Sequence, residues 1–194
     1  MKKNIKKYRF VKATIITIVM FFSCKESNSS RAYMEGLFNK NEDKFESLYD
    51  YYETIRPSAK EAIVTFYNND NEQLYDISIY PLTSAINSKN PILGGKNLNI
   101  HSKQLDTALK KINWTTQNLF VLKKRLKLTG CKWIRATEAQ GNPVEIYIKE
   151  KGLGSYSYFI FKNPLPDSLL KIYGSPLKTQ KLNNRVFLMY SSSP

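Results

Sequence analysis

Apolar residues recur at helical spacing between residues 31 and 56. Met34, Leu37, Phe38, Phe45, Leu48, Tyr52 and Ile55 mark one side of a helix, and Pro57 supplies its stop. The period then falls to two. Residues 62–68 and 74–80 read as strands, with Tyr75, Ile77 and Ile79 alternating against Asp76 and Ser78; Asn69-Asp70-Asn71 between them is turn chemistry, which predicts a hairpin. Residues 81–100, punctuated by Pro81, Pro91 and Gly94-Gly95, read as loop. Ser102 offers a cap to a helix whose stripe is Leu105, Ala108, Leu109 and Ile112. Thr115 or Thr116 caps a second one through Leu119, Leu122 and Leu126, ending before Gly130.

Alternation returns at 131–137, 143–149 and 155–161, where Val144, Ile146 and Ile148 share one face and Glu145, Tyr147 and Lys149 the other. The connecting EAQGN and KGLG supply Gly and Asn for tight turns, so an antiparallel meander is predicted. A short helix near 167–173 and a strand at 185–190 complete the chain. The order predicts an α+β fold: one domain over residues 31–194, with a mostly antiparallel sheet (hairpin plus meander) and helices packed on one face.

Residues 1–12 do not belong to that pattern. They hold six basic side chains and no acidic one, residues 13–22 (ATIITIVMFF) are uncharged, and Ser23-Cys24 follows. This is the layout of an export signal. Ten residues rise only about 15 Å as a helix, half of a bilayer's hydrocarbon thickness, so a spanning helix is disfavoured. Phe21-Phe22-Ser23-Cys24 resembles the lipobox of bacterial lipoproteins, although Phe21 stands where that family prefers Leu. The resemblance implies cleavage between Ser23 and Cys24, diacylation of the Cys24 thiol and stable anchoring through two or more acyl chains, at about 0.8 kcal/mol per methylene. Residues 24–30 then form a polar tether. Lys25 in place of Asp argues against the inner-membrane retention signal of some Gram-negative lipoproteins, so an outer-membrane location is expected.

Charge changes meaning once the signal is set aside. The chain carries 30 basic and 16 acidic side chains, net +14; without the six basic residues of the signal, 24 stand against 16, about +8. That remainder suits an acidic partner, whether lipid headgroups, an acidic glycan or a protein. Nucleic acid fits badly with export, and no binding motif supports it. With Cys24 acylated, Cys131 has no disulfide partner and reads as a small buried residue.

Catalytic constellations are not apparent. His101 is the single histidine, and Asp106 lies off its helical face. One His and one unacylated Cys cannot build a zinc shell, so no metal and no cofactor are expected. Asn69-Asp70-Asn71-Glu72 lacks the spacing and Gly of a calcium loop. Gly94-Gly95-Lys96 and Gly152-Leu153-Gly154 are too short to cradle phosphate. Glu138, Glu145 and Asp167 are carboxylates that a glycosidase could use, though nothing in the sequence unites them.

Two surfaces stand out. Lys123, Lys124, Arg125, Lys127 and Lys132 concentrate positive charge as a patch for an anionic partner, set against the plainer reading of a solvated helix face. Tyr147, Tyr156 and Tyr158 are a candidate aromatic face for sugars or protein, set against ordinary cross-strand packing. The reading leans away from an enzyme and towards a non-catalytic binding lipoprotein of the cell envelope, an immunity-type protein being one version. An envelope glycan or peptidoglycan hydrolase and an assembly subunit of an outer-membrane complex are the alternatives.

Overall fold

The computed structural model describes residues 31–57, 62–81, 93–137, 140–151, 154–173 and 178–192; the expected signal segment, Ser23, Cys24 and the tether lie outside them. Among the described residues five helices pack on one antiparallel sheet of eight strands. The helices are α1 (Arg31–Lys40), α2 (Glu42–Ile55), α3 (Lys103–Lys111), α4 (Thr116–Thr129) and α5 (Asp167–Tyr173). The strands are β1 (Ala62–Tyr67), β2 (Leu74–Pro81), β3 (Leu93–Asn99), β4 (Trp133–Ala136), β5 (Val144–Lys151), β6 (Gly154–Ile160), β7 (Thr179–Lys181) and β8 (Val186–Ser192). Their order across the sheet is β3-β2-β1-β4-β5-β6-β8-β7.

Register decides which alternating residues meet. Val64 pairs with Ile79, Phe66 with Ile77 and Ile134, Ile146 with Ile134 and Tyr158, and Tyr158 with Leu188. These positions share one face, because side chains opposite one another in a ladder project the same way. All are essentially inaccessible to solvent, and they form one core with Phe38 of α1, Phe45, Leu48 and Tyr52 of α2, Leu105 and Leu109 of α3, and Leu119, Leu122 and Leu126 of α4. Three aromatic polar tips bind this helical layer to the backbone. The Tyr52 hydroxyl donates to the Val64 carbonyl (2.9 Å) and accepts from the Ala136 N–H (3.0 Å), joining α2 to β1 and β4. The Tyr158 hydroxyl donates to Met34 O (2.7 Å), and Trp114 Nε1 donates to Ile55 O (2.5 Å).

The α+β class, the hairpin and the meander are as expected, and four differences have physical causes. First, the helix expected over 31–56 breaks at Asn41, whose φ of −127° leaves the helical basin while its side chain donates to Leu37 O (2.9 Å). An Asn side chain competes in this way with the backbone ladder. Second, the segment read as loop contains β3. Its sequence LGGKNLN has no alternation, and Gly94 adopts a φ of +101° against the Ile77 carbonyl, a conformation only glycine takes freely. Third, the three-residue β7 was too short to leave a pattern. Fourth, α1 to α4 share one face, but α5 lies on the other. There Leu169, Leu170 and Tyr173 pack against Phe159, Phe161, Phe187 and Met189.

Candidate functional site

Helix α4 is fixed at both ends. Thr115 and Asn118 form a capping box at its start, and Gly130 closes it in the left-handed region (φ +70°). Its buried stripe is Leu119, Leu122 and Leu126. The opposite side presents Phe120, Lys124 and Leu128 at successive turns, and Phe120 and Leu128 are 54% and 56% exposed. Single exposed apolar side chains are ordinary at a protein surface, as at Tyr33 and Ile172, but two on one helix face, one turn from lysines, form a mixed apolar and cationic crest.

The sequence-adjacent cations of the expected patch take different directions, because successive helical residues are turned by about 100°. Lys123 is buried. Its ammonium donates to Asn71 O (2.5 Å) and Leu74 O (2.7 Å), and lies 4.8 Å from the centre of the Tyr75 ring. It therefore fastens the β1–β2 turn to α4, and burial lowers its pKa, opposed by Glu72 and Asp76. Lys127 donates to Glu72 Oε1 (2.9 Å) in a solvent-exposed pair, and the carboxylate is held below its ordinary pKa first by that hydrogen bond and then by the lysine charge. Lys124 is exposed. Lys123, Lys124 and Lys127, with Phe120, Leu128 and Glu72, line a groove of about 410 Å³.

Arg125 falls on the other flank of α4. It donates to Ser47 O (2.7 Å) and Ser47 Oγ, and its guanidinium lies 5.0 Å from the Tyr51 ring centre. There it helps line a second groove, about 510 Å³, with Asp43, Glu46, Ser47, Asp50, Tyr51 and Thr54 of α2. Lys132, exposed after the helix, lines neither groove. The five cations are thus one patch in sequence and three environments in space.

The three tyrosines are likewise divided. Tyr147 pairs with Ser157 while Ile146 pairs with Tyr158, which puts Tyr147 and Tyr158 on opposite faces of the sheet. Tyr158 is wholly buried, and burial raises its pKa well above the ordinary tyrosine value. Tyr156 shares the side of Tyr158, its ring 5.1 Å from that of Tyr190. Tyr147 stacks on Trp133 at 4.8 Å with the rings nearly parallel, and Arg135 sits 4.9 Å from the indole centre. Stacking on a sugar needs an open ring face, and the Trp133 ring is already engaged by Tyr147 and Arg135. Packing accounts for this strip.

The other candidates are dispersed. Glu145 is buried in an ion pair with Arg135 (2.8 Å), Asp167 is exposed at the start of α5, and Glu138 lies outside the described residues. His101 is exposed in the turn before α3. Among the described residues no three His, Cys, Asp or Glu side chains group as metal ligands, and no helix is long and apolar enough to cross a membrane. Cys131 is buried, and burial pushes its thiol pKa up to about 12.

Two features escaped the sequence reading, and both left a signal. Phe120 and Leu128 are apolar residues four positions either side of Lys124 and off the 119-122-126 stripe. Asp43, Glu46 and Asp50 recur at helical spacing on α2. Compared with known families, curated proteins and solved structures, the chain matches none significantly.

Proposed function

We propose that the chain is a membrane-tethered, non-catalytic binding protein of the cell envelope, anchored through Cys24 and placed in the outer membrane, and that the crest of α4 is where its partner docks. The observation that carries the docking site is the exposure of Phe120 and Leu128 beside Lys124 and the groove they line. Interfaces place apolar side chains inside a charged rim, and Phe120 and Leu128 are two exposed apolar groups that line one groove beside lysines. The cations of the groove call for an anionic partner surface. The anchor is supported by the basic segment, the short apolar run and the Ser23-Cys24 junction.

Two measurements test the reading. Cys24→Ser should abolish acyl labelling and release the chain from membranes; unchanged membrane partition overturns the anchor. A photoreactive residue in place of Phe120 on the tethered chain should give a discrete cross-linked adduct. The same residue at Ile172, equally exposed but on α5 across the sheet, should give none. An Ile172 adduct of equal yield, or no Phe120 adduct, removes the docking site.

A further inference from the structure

The chain itself carries a surface of the chemistry that the α4 crest requires. The α2 groove holds Asp43, Glu46 and Asp50 around the Tyr51 ring, and Asp43 and Asp50 are exposed. Glu46 is engaged by Arg185, and Arg125 sets one positive charge against Asp43 and Asp50, so the groove keeps a net negative charge carried by the two aspartates. Acidic and basic grooves flank α4 on opposite sides, with Arg125 on one side, Lys123 and Lys127 on the other, and Phe120, Lys124 and Leu128 along the ridge between.

From this arrangement we infer that the partner of the α4 crest is a second copy of this chain. The inference rests on the docking role proposed above and names the occupant. Two-fold symmetry with its axis along the ridge sets each copy's lysine flank against the other copy's aspartate flank, so both contacts form at once and the assembly closes as a dimer. Phe120 and Leu128 meet their counterparts near the axis and leave water. Lys124 lies beside its own counterpart at the axis, and its long side chain turns away from that like charge to reach the partner's Asp50. The Lys127–Glu72 pair is no obstacle, because pairs this exposed are weak and readily exchanged. A contact with so few apolar anchors is weak between free molecules, but anchoring both copies in one membrane raises their effective concentration.

Charge reversal on each side tests the pairing in the acylated full-length protein. The wild type in detergent micelles should show a concentration-dependent protein mass approaching twice that of one chain, and added salt should reduce it. Lys124→Glu with Lys127→Glu, and separately Asp43→Lys with Asp50→Lys, should each weaken dimerisation by about tenfold or more while leaving the circular dichroism unchanged. An equimolar mixture of the two variants should restore the dimer, since each then offers the other the opposite charge on both flanks. A monomeric wild type, or a mixture no better associated than either variant alone, overturns the inference. The Phe120 cross-link separates the two proposals. An adduct at twice the chain mass supports the dimer, an adduct of another mass overturns it and leaves the docking site standing, and no adduct removes both.

Discussion

Replacing Lys123 by methionine keeps most of the aliphatic stem and deletes the ammonium that holds the β1–β2 turn to α4. Two hydrogen bonds from a charged donor contribute about 1.5 kcal/mol each at the low end of their range. The contact with the Tyr75 ring adds about 1 kcal/mol. Against this gross figure of about 4 kcal/mol stands relief from desolvation, since the methionine variant no longer holds an ammonium out of water, and the burial-driven fall of the lysine pKa gives that cost its sign. Asn71 lies in an exposed turn, so water replaces part of what its carbonyl loses. The net expectation for Lys123→Met is a loss of about 2 kcal/mol, seen as a lower urea midpoint at unchanged slope. For a domain of this size that corresponds to about 4–8 °C in Tm. Lys124→Met at the exposed neighbouring position should stay within about 0.5 kcal/mol of the wild type. Equal stability of the two variants would show that the buried lysine does not fasten the turn.

Further expectations concern the backbone and alkaline pH. Gly94→Ala should destabilise by at least about 2 kcal/mol, because φ is +101° and the new methyl would lie 2.1 Å from Ile77 O; a chemical-denaturation midpoint equal to wild type would refute the described geometry of the β2–β3 edge. Burial raises the folded pKa of Cys131 from 9.0 to about 12 and raises Tyr52 and Tyr158 above the ordinary 10.0. These groups are neutral in the fold and ionise more readily when unfolded, so their contribution is complete below about pH 9 and is lost as pH climbs towards 12. The part of the tyrosinate absorbance that belongs to Tyr52 and Tyr158 should therefore appear only as the circular dichroism is lost; ionisation of all thirteen tyrosines with the fold intact would contradict the burial.

Most elements were legible because their signals are local. Alternation announced β1, β2, β5 and β6, and caps announced α3 and α4: Ser102 Oγ accepts from Leu105 N (3.2 Å), and Thr115 caps α4. The β3 and β7 strands were not legible, since an edge strand with two glycines and a strand of three residues owe their conformation to the ladder beside them. The candidate site was legible only as composition. Lys123, Lys124 and Arg125 read as one charge run, yet the helical turn sends one to the β1–β2 turn, one to solvent and one to α2.

Taken alone, the sequence determined the α+β class, the hairpin, the meander and much of the core, and its amino-terminal pattern predicts export and lipidation at Cys24. Each of these follows from chemistry within a few turns of the chain: charge and apolarity, period two or 3.6, and caps and turn residues. Tertiary structure decided that β1 lies beside β4, that Tyr147 and Tyr158 face opposite ways, and that α5 covers the second face. It alone decided that Phe120 and Leu128 remain open beside Lys124 while Lys123 does not. The reason is that exposure depends on which distant segment comes to rest against a side chain. A residue's own identity and spacing fix the direction in which it points, and the packing of the rest of the chain fixes what it meets there.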